Sequence, residues 1–402
     1  MINKIIIISV FIAIPIVSLA QPLEHFVNLA RENHPEIRSR ELQIEALEKS
    51  VDQSSAWQDP MLSAGYNVVP HSMEKANVSL MQNFAWFGTV KHQKAAATAF
   101  AKSETYNLLS AIKQLEIEVA TVYYEINQVI ELQELQQENV RLYQQLEDFA
   151  NNNLSTAKGS MVDVIRAQLA KEEAQTQMEI LQKKQQSLIR TLNNLTGREA
   201  DANVQIEPVV FTAVSAENDI VNHPEISAVE ARIDATNASV KAAQKEALPQ
   251  FGLGVEYMRM DYMNDKPLRN EFMPMVSISL PIYRKKYKAK IAEAELMAQS
   301  YELEKQGIQN RLLRQRIELK NRLDETMIEM ELYNRQIQQS AQARQLLLNY
   351  YATSGSDFTE VLKLAQEELN YRTKWIETNT EALTLARQWE YLNDFKTSSN
   401  SK

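Results

Sequence analysis

The side chains able to do chemistry are few, and their spacing argues against catalysis. The five histidines, His25, His34, His71, His92 and His223, are too scattered for a metal centre or a triad. With no cysteine, the chain has neither disulfides nor thiolate ligands. One soft-donor group stands out: Met258, Met260, Met263, Met273 and Met275, placed near the loop end of a pair of strand-like runs. Thioethers take Cu(I) or Ag(I), but methionines in a loop also serve as flexible apolar packing, the simpler of the two readings. A basic run, Arg284-Lys285-Lys286-Tyr287-Lys288, opens a helix, and Lys91 and Lys94 hold a similar place earlier in the chain. Cations are unfavourable at a helix N-terminus, so phospholipid head groups account for the run better than a merely solvated helix start. A formal charge of −9 excludes a nucleic-acid binder, which needs a net basic face. No catalytic residue, no cofactor and no resident metal are expected.

The elements that hold these residues come in duplicate. Asn33-His34-Pro35-Glu36-Ile37 recurs letter for letter as Asn222-His223-Pro224-Glu225-Ile226, and Pro60 returns as Pro249 at the same offset of 189 residues. Val78-Ser79-Leu80 answers Val276-Ser277-Ile278, and Gly159-Ser160 answers Gly355-Ser356. The chain is a tandem pair of one unit. Eight glycines and eleven prolines in 402 residues suit long helices better than a compact α/β enzyme.

In each repeat the spacing predicts a short helix, two strands, a long helix, a tight turn and a returning helix. The short helices span Pro35 to about Ser55 and about Ile220 to Ala247, the long ones Thr89 to about Asn151 and about Lys286 to Tyr351, and the returning ones Met161 to Leu195 and Asp357 to Asn393. Leu108, Ile112, Leu115, Val119, Val122, Ile126 and Val129 step by alternating fours and threes, a heptad seam that packs against a neighbouring helix. In the strands, Leu62, Ala64, Tyr66, Val68 and Val78, Leu80, Phe84, Trp86 alternate with small or polar residues. Phe251, Leu253, Val255, Tyr257 and Val276, Ile278, Leu280, Ile282 do the same. This is the pattern of membrane β-barrel strands. Four strands cannot close a barrel, and open edges in lipid leave backbone groups unpaired. Two, three or four copies would give eight, twelve or sixteen strands, and periodicity does not choose among them.

The N-terminus runs Met1-Ile2-Asn3-Lys4, an apolar stretch from Ile5 to Val17, then Ser18-Leu19-Ala20, the order of a secretory signal peptide cut after Ala20. The expected division is 1–20 signal peptide, 21–196 first repeat with a hairpin at about 61–87, 197–221 connecting equatorial segment, 222–395 second repeat with a hairpin at about 250–283, and 396–402 polar tail.

Together with the strings Asp59-Pro60-Met61-Leu62, Phe84-Ala85-Trp86-Phe87-Gly88 and Gly159-Ser160-Met161-Val162-Asp163-Val164, this order of elements resembles the TolC-like outer-membrane efflux protein family over essentially the whole mature chain. The resemblance implies a mainly helical fold with a small β part. It further implies a homotrimer whose pooled strands form a twelve-stranded barrel in outer-membrane lipid, continued by an α-barrel across the periplasm. Such a duct would dock on a periplasmic adaptor and an inner-membrane pump of the RND or ABC type. It places an acidic periplasmic gate at Asp357, Glu360 and Asp163, and adaptor docking on the tip turns Lys158-Gly159-Ser160 and Ser354-Gly355-Ser356. The lipid-facing strand residues would be Leu80, Phe84, Trp86, Ile278 and Leu280. A periplasmic coiled-coil adaptor or structural protein without a barrel is the alternative, and it has no use for an apolar strand face.

Overall fold

The computed structural model describes residues 21–68, 74–212, 214, 223–260, 269–354 and 358–393. The signal segment, the polar tail, Met263, Asp357, Gly355 and Ser356 lie outside the described residues. Element order is α1 (Leu23–Asn33), α2 (Pro35–Ser55), β1 (Met61–Tyr66), β2 (Glu74–Phe84), α3 (Thr89–Ser155), α4 (Met161–Leu195), α5 (Pro224–Glu246), β3 (Gln250–Met260), β4 (Arg269–Ser279), α6 (Arg284–Ser354) and α7 (Phe358–Asn393). From α2 onward the order reads twice, as the repeated motif demands. Helix α1 was not foreseen, although Phe26, Val27 and Ala30 carry its buried stripe.

Two compact units are built from interleaved pieces of chain. The first comprises 1–34, 115–213 and 322–387 and is helical. Its part of α3 buries Leu115, Val119, Val122, Ile126 and Val129, the foreseen seam; Leu108 and Ile112, earlier in the helix, are half-buried. The connecting segment from 197 to 212 is held in the same unit. The Tyr123 hydroxyl donates to the Gln21 carbonyl at 2.9 Å and accepts from the Glu207 amide at 2.8 Å, and Asn379 accepts from the Phe211 amide at 2.9 Å. These side chains satisfy backbone groups that no regular element pairs.

The second unit comprises 35–114, 214–321 and 388–402 and holds all four strands. They form one antiparallel sheet in the order β1-β2-β3-β4, so β1 and β4 are its edges. Strands β2, β3 and β4 are 11 residues long, the length that crosses a bilayer when tilted. No helix among the described residues is long and apolar enough to cross a membrane.

Several boundaries differ from expectation, among them β1, which ends at Tyr66 short of Val68, and α6, which runs from Arg284 to Ser354. Helix α3 continues through Asn151-Asn152-Asn153 to Ser155, because the Asn152 and Asn153 carbonyls are taken up by the turn that follows. Strand β2 ends at Phe84, and Trp86 lies two residues beyond it at the start of the turn into α3. Likewise β4 ends at Ser279, so Leu280 lies past the ladder, just before Pro281, which has no amide to pair.

Candidate functional surfaces

The sheet sorts its side chains by face. Register rows run Leu62–Leu80–Val255–Pro274, Ala64–Val78–Tyr257–Phe272, Gln82–Leu253–Val276 and Phe84–Phe251–Ile278. All of these residues share one face, since alternate residues point the same way. It is bare: Leu62, Val276 and Ile278 are each more than 60% exposed. Serines 79 and 277 fall on the opposite face with Ser63, Asn77, Asn83 and Glu256, and the Asn77 amide donates to Glu256 at 2.8 Å. The sequence alternation therefore survives as a common register across four strands.

Aromatic residues collect at both ends of the apolar face. At one end Phe84 stacks on Phe251 with centroids 5.7 Å apart, and Trp57 meets Phe84 edge-on at 5.4 Å. At the other, Tyr257 lies 5.1 Å from Phe272. A cavity of about 510 Å³ opens beside the first group, lined by Trp57, Trp86, Phe87, Lys286 and Lys290 among others. Lys290 pairs with Glu246, while Arg284, Lys285, Lys286, Lys288, Lys91 and Lys94 are exposed. Trp86 and the basic run thus flank the strand ends, outside the ladder itself.

In the helical unit, the turn from α3 to α4 is closed by its backbone. The Ala157 amide reaches the Leu154 carbonyl at 3.1 Å and the Lys158 amide reaches that of Asn153 at 2.8 Å, a Schellman closure. Its left-handed residue is Ala157, with φ 58°, and not the glycine. Gly159 sits at a close approach: a Cβ there would lie 3.0 Å from the Asn153 Cβ. Ser160 then caps α4. Its hydroxyl accepts from the Asp163 amide at 3.3 Å, and Asp163 accepts from the Ser160 amide at 3.2 Å, a capping box. Asp163 is thus engaged as a cap, whereas Glu360 in the first turn of α7 is exposed. Arg166 of α4 donates to Thr359, the neighbour of Glu360.

Beside the α3–α4 turn, Tyr143, Leu146, Val164, Ala167, Tyr351, Phe358 and Val361 form one core from α3, α4, α6 and α7. Lys171 and Gln168 hydrogen-bond Glu147 beside it and hold its carboxyl below the usual range. Around this core, Met161, Val162, Ile165 and Leu169 form an exposed apolar stripe on α4. Sequence reasoning missed it, though the spacing of three and four was there to read.

A family model described as "Outer membrane efflux protein" matches residues 26–198, which span the first repeat. Over this region the chain is similar to the outer membrane efflux protein family. A curated relative, toxin and drug export protein A of Aggregatibacter actinomycetemcomitans, is 24% identical over 208 residues, covering 50% of this chain and 45% of that protein. The chain thus spans less than half of that relative's length. The fold extends much further than the sequence likeness. The outer membrane protein VceC of Vibrio cholerae superposes with a TM-score of 0.79 at 15% identity, over 92% of this chain and 95% of that one. The Campylobacter jejuni CmeC outer membrane channel does so with 0.73 at 14% identity, over 94% and 87%. The mainly helical architecture with a four-stranded sheet is the fold of these outer membrane proteins.

Proposed function

We propose that the mature chain is one subunit of an outer-membrane duct that passes substrates delivered by a periplasmic adaptor and an inner-membrane pump, of the RND or ABC type, to the outside. The observation that carries this reading is the sheet: an exposed apolar face between two aromatic groups, with unpaired edges at β1 and β4. An apolar face on an open sheet is tolerable in lipid only when the edges are closed. Joining β4 of one copy to β1 of the next does so, and three copies give the twelve-stranded barrel that the family resemblance implies. Leu80, Phe84 and Ile278 then face acyl chains, with Trp86 and Leu280 at the strand ends. Outer-membrane location and the homotrimer belong to the same reading, and export depends on the signal sequence at 1–20.

The tip turns at Lys158-Gly159-Ser160 and Ser354-Gly355-Ser356 are proposed to receive the adaptor, with the apolar stripe of α4 beside the first. The gate is assigned to Asp357 and Glu360. Asp163 adds its charge from within a cap, where it also contributes roughly 0.3–1 kcal/mol to the helix. Rings of acids would make the pore cation-preferring. Single-channel recording of the Asp357→Ala/Glu360→Ala variant is expected to show weakened cation preference. Wild-type conductance and selectivity would locate the constriction elsewhere.

The barrel itself is tested by two neighbouring substitutions. Leu80→Arg should cost on the order of 2–4 kcal/mol near the bilayer midplane and abolish assembly, whereas Ser79→Arg on the opposite face should cost much less. Equal assembly yields would reject the lipid-facing assignment. Release of the wild-type protein by osmotic shock without detergent would favour a periplasmic coiled-coil protein instead.

A further inference from the structure

Of the methionines foreseen as loop packing, the four that are described are not in a loop. Met258 and Met260 belong to β3, and Met273 and Met275 to β4. Met61 of β1 and Met81 of β2 join them. By register all six fall on the face that carries Ser79, Asn77, Glu256 and Ser277, and none on the apolar face. Residues recruited merely as apolar filler would be found on the other side.

Their arrangement is specific. One row reads Met61–Met81–Gly254–Met275 across all four strands. With no side chain at Gly254, Met81 lies over it: its Sδ and Cε are each 3.0 Å from where a Cβ would stand. The notch continues at Gly252, where a Cβ would lie 3.2 Å from the same sulfur. The Met81 Sδ thereby crosses β3 and comes within 3.7 Å of the Ser277 hydroxyl on β4. Two glycines clear a path that brings the β2 thioether towards the strand that holds Met275. The next rows pair Met273 with Glu256 and Met258 with Glu271, setting carboxylates beside the thioethers.

We propose that this face holds a site for a soft monovalent cation, Cu(I) or Ag(I), with Met81 and Met275 as thioether donors. Thioethers select such ions over hard ones, and the flanking carboxylates favour a cation over a neutral ligand. Thioethers carry no proton to lose, so binding should be flat with pH, unlike histidine or thiolate sites. The site rests on the sheet alone and is independent of whether the protein conducts.

The test is silver titration of the full mature chain in detergent, in chloride-free buffer, with ¹³C-methyl-labelled methionine followed by NMR. Resonances of Met81 and Met275 should shift together and saturate at one Ag(I) per chain, while Met161, Met297 and Met327 on the helices stay in place. The Met81→Leu/Met275→Leu variant keeps the apolar volume, so it should fold and assemble as before yet bind Ag(I) at least about ten-fold more weakly. Uniform shifts of all methionines, or undiminished affinity in the leucine variant, would overturn the site. Displacement of Ag(I) by excess Zn(II) would do so as well.

Discussion

The two copies of Asn-His-Pro-Glu-Ile open helices with opposite fates. Helix α5 buries Pro224, Ile226, Ala228, Val229, Ala231, Ile233, Ala235, Ala242 and Ala243, while α2 buries Ile37 alone. At equivalent positions Ala231 is 4% exposed and Leu42 is 50% exposed. Glu225 pairs with Arg311 and accepts from the Tyr391 hydroxyl at 3.1 Å, whereas Glu36 pairs with Arg40, one turn along its own helix, at 2.8 Å in a more exposed setting. Identical letters cannot produce this difference; the surroundings do. Helix α5 finds its partners within the chain, and α2 retains a face, lined by Pro35, Arg38, Leu42 and Ala46, that a neighbouring copy would cover. In a ring of copies, one subunit's bare face meets another's different surface.

The comparison breaks most sharply at the paired positions. Ala231→Arg forces a charge into a packed helix interface and should destabilise the chain by more than about 4 kcal/mol, read as lost secondary structure on mild heating. Leu42→Arg should leave each chain folded but remove the oligomer, read by size in detergent. If both variants merely assemble normally, the two helix faces do not differ as described.

A smaller effect is expected from pH. Burial against Tyr391, with centroids 4.9 Å apart, is the main cause that lowers His223 to about 4, with Glu225 opposing and Arg311 adding to the shift. The unfolded imidazole takes up its proton near 6.5. Between those values the unfolded chain binds more protons, so stability is complete above 6.5 and falls as the pH drops to 4, by roughly 3 kcal/mol. His223→Gln should flatten that slope in denaturant titrations. An unchanged slope would show that another group carries it.

The smallest contrast concerns the acids. Glu225→Gln should cost about 1–3 kcal/mol because Arg311 and the Tyr391 hydroxyl lose a charged partner, and Glu36→Gln only about 0.3–0.5 kcal/mol. Equal losses in thermal melts would place the two glutamates in like surroundings.

Much of this was legible because it is periodic. The 189-residue echo gave the tandem order, the heptad seam gave the buried line of α3, and alternation gave the two faces of the sheet. What periodicity does not carry is partner choice across the chain. Nothing local marks α5 as buried and α2 as bare, and the methionines read as a loop cluster because Met61 and Met81 join them only through strand pairing. The turn after α3 was expected in the right place but with its helix end a few residues early: the left-handed residue that closes it is an alanine, which sequence does not mark, and the glycine two positions on serves a close contact. Helix α1 was passed over because it is only 11 residues long and lies ahead of the repeated motif.

The central claim is that copies of this chain close one another's sheet edges. Native mass spectrometry of the detergent-extracted mature protein measures this directly. The account predicts a three-chain species that persists as detergent is diluted; a folded, predominantly single-chain species would contradict it.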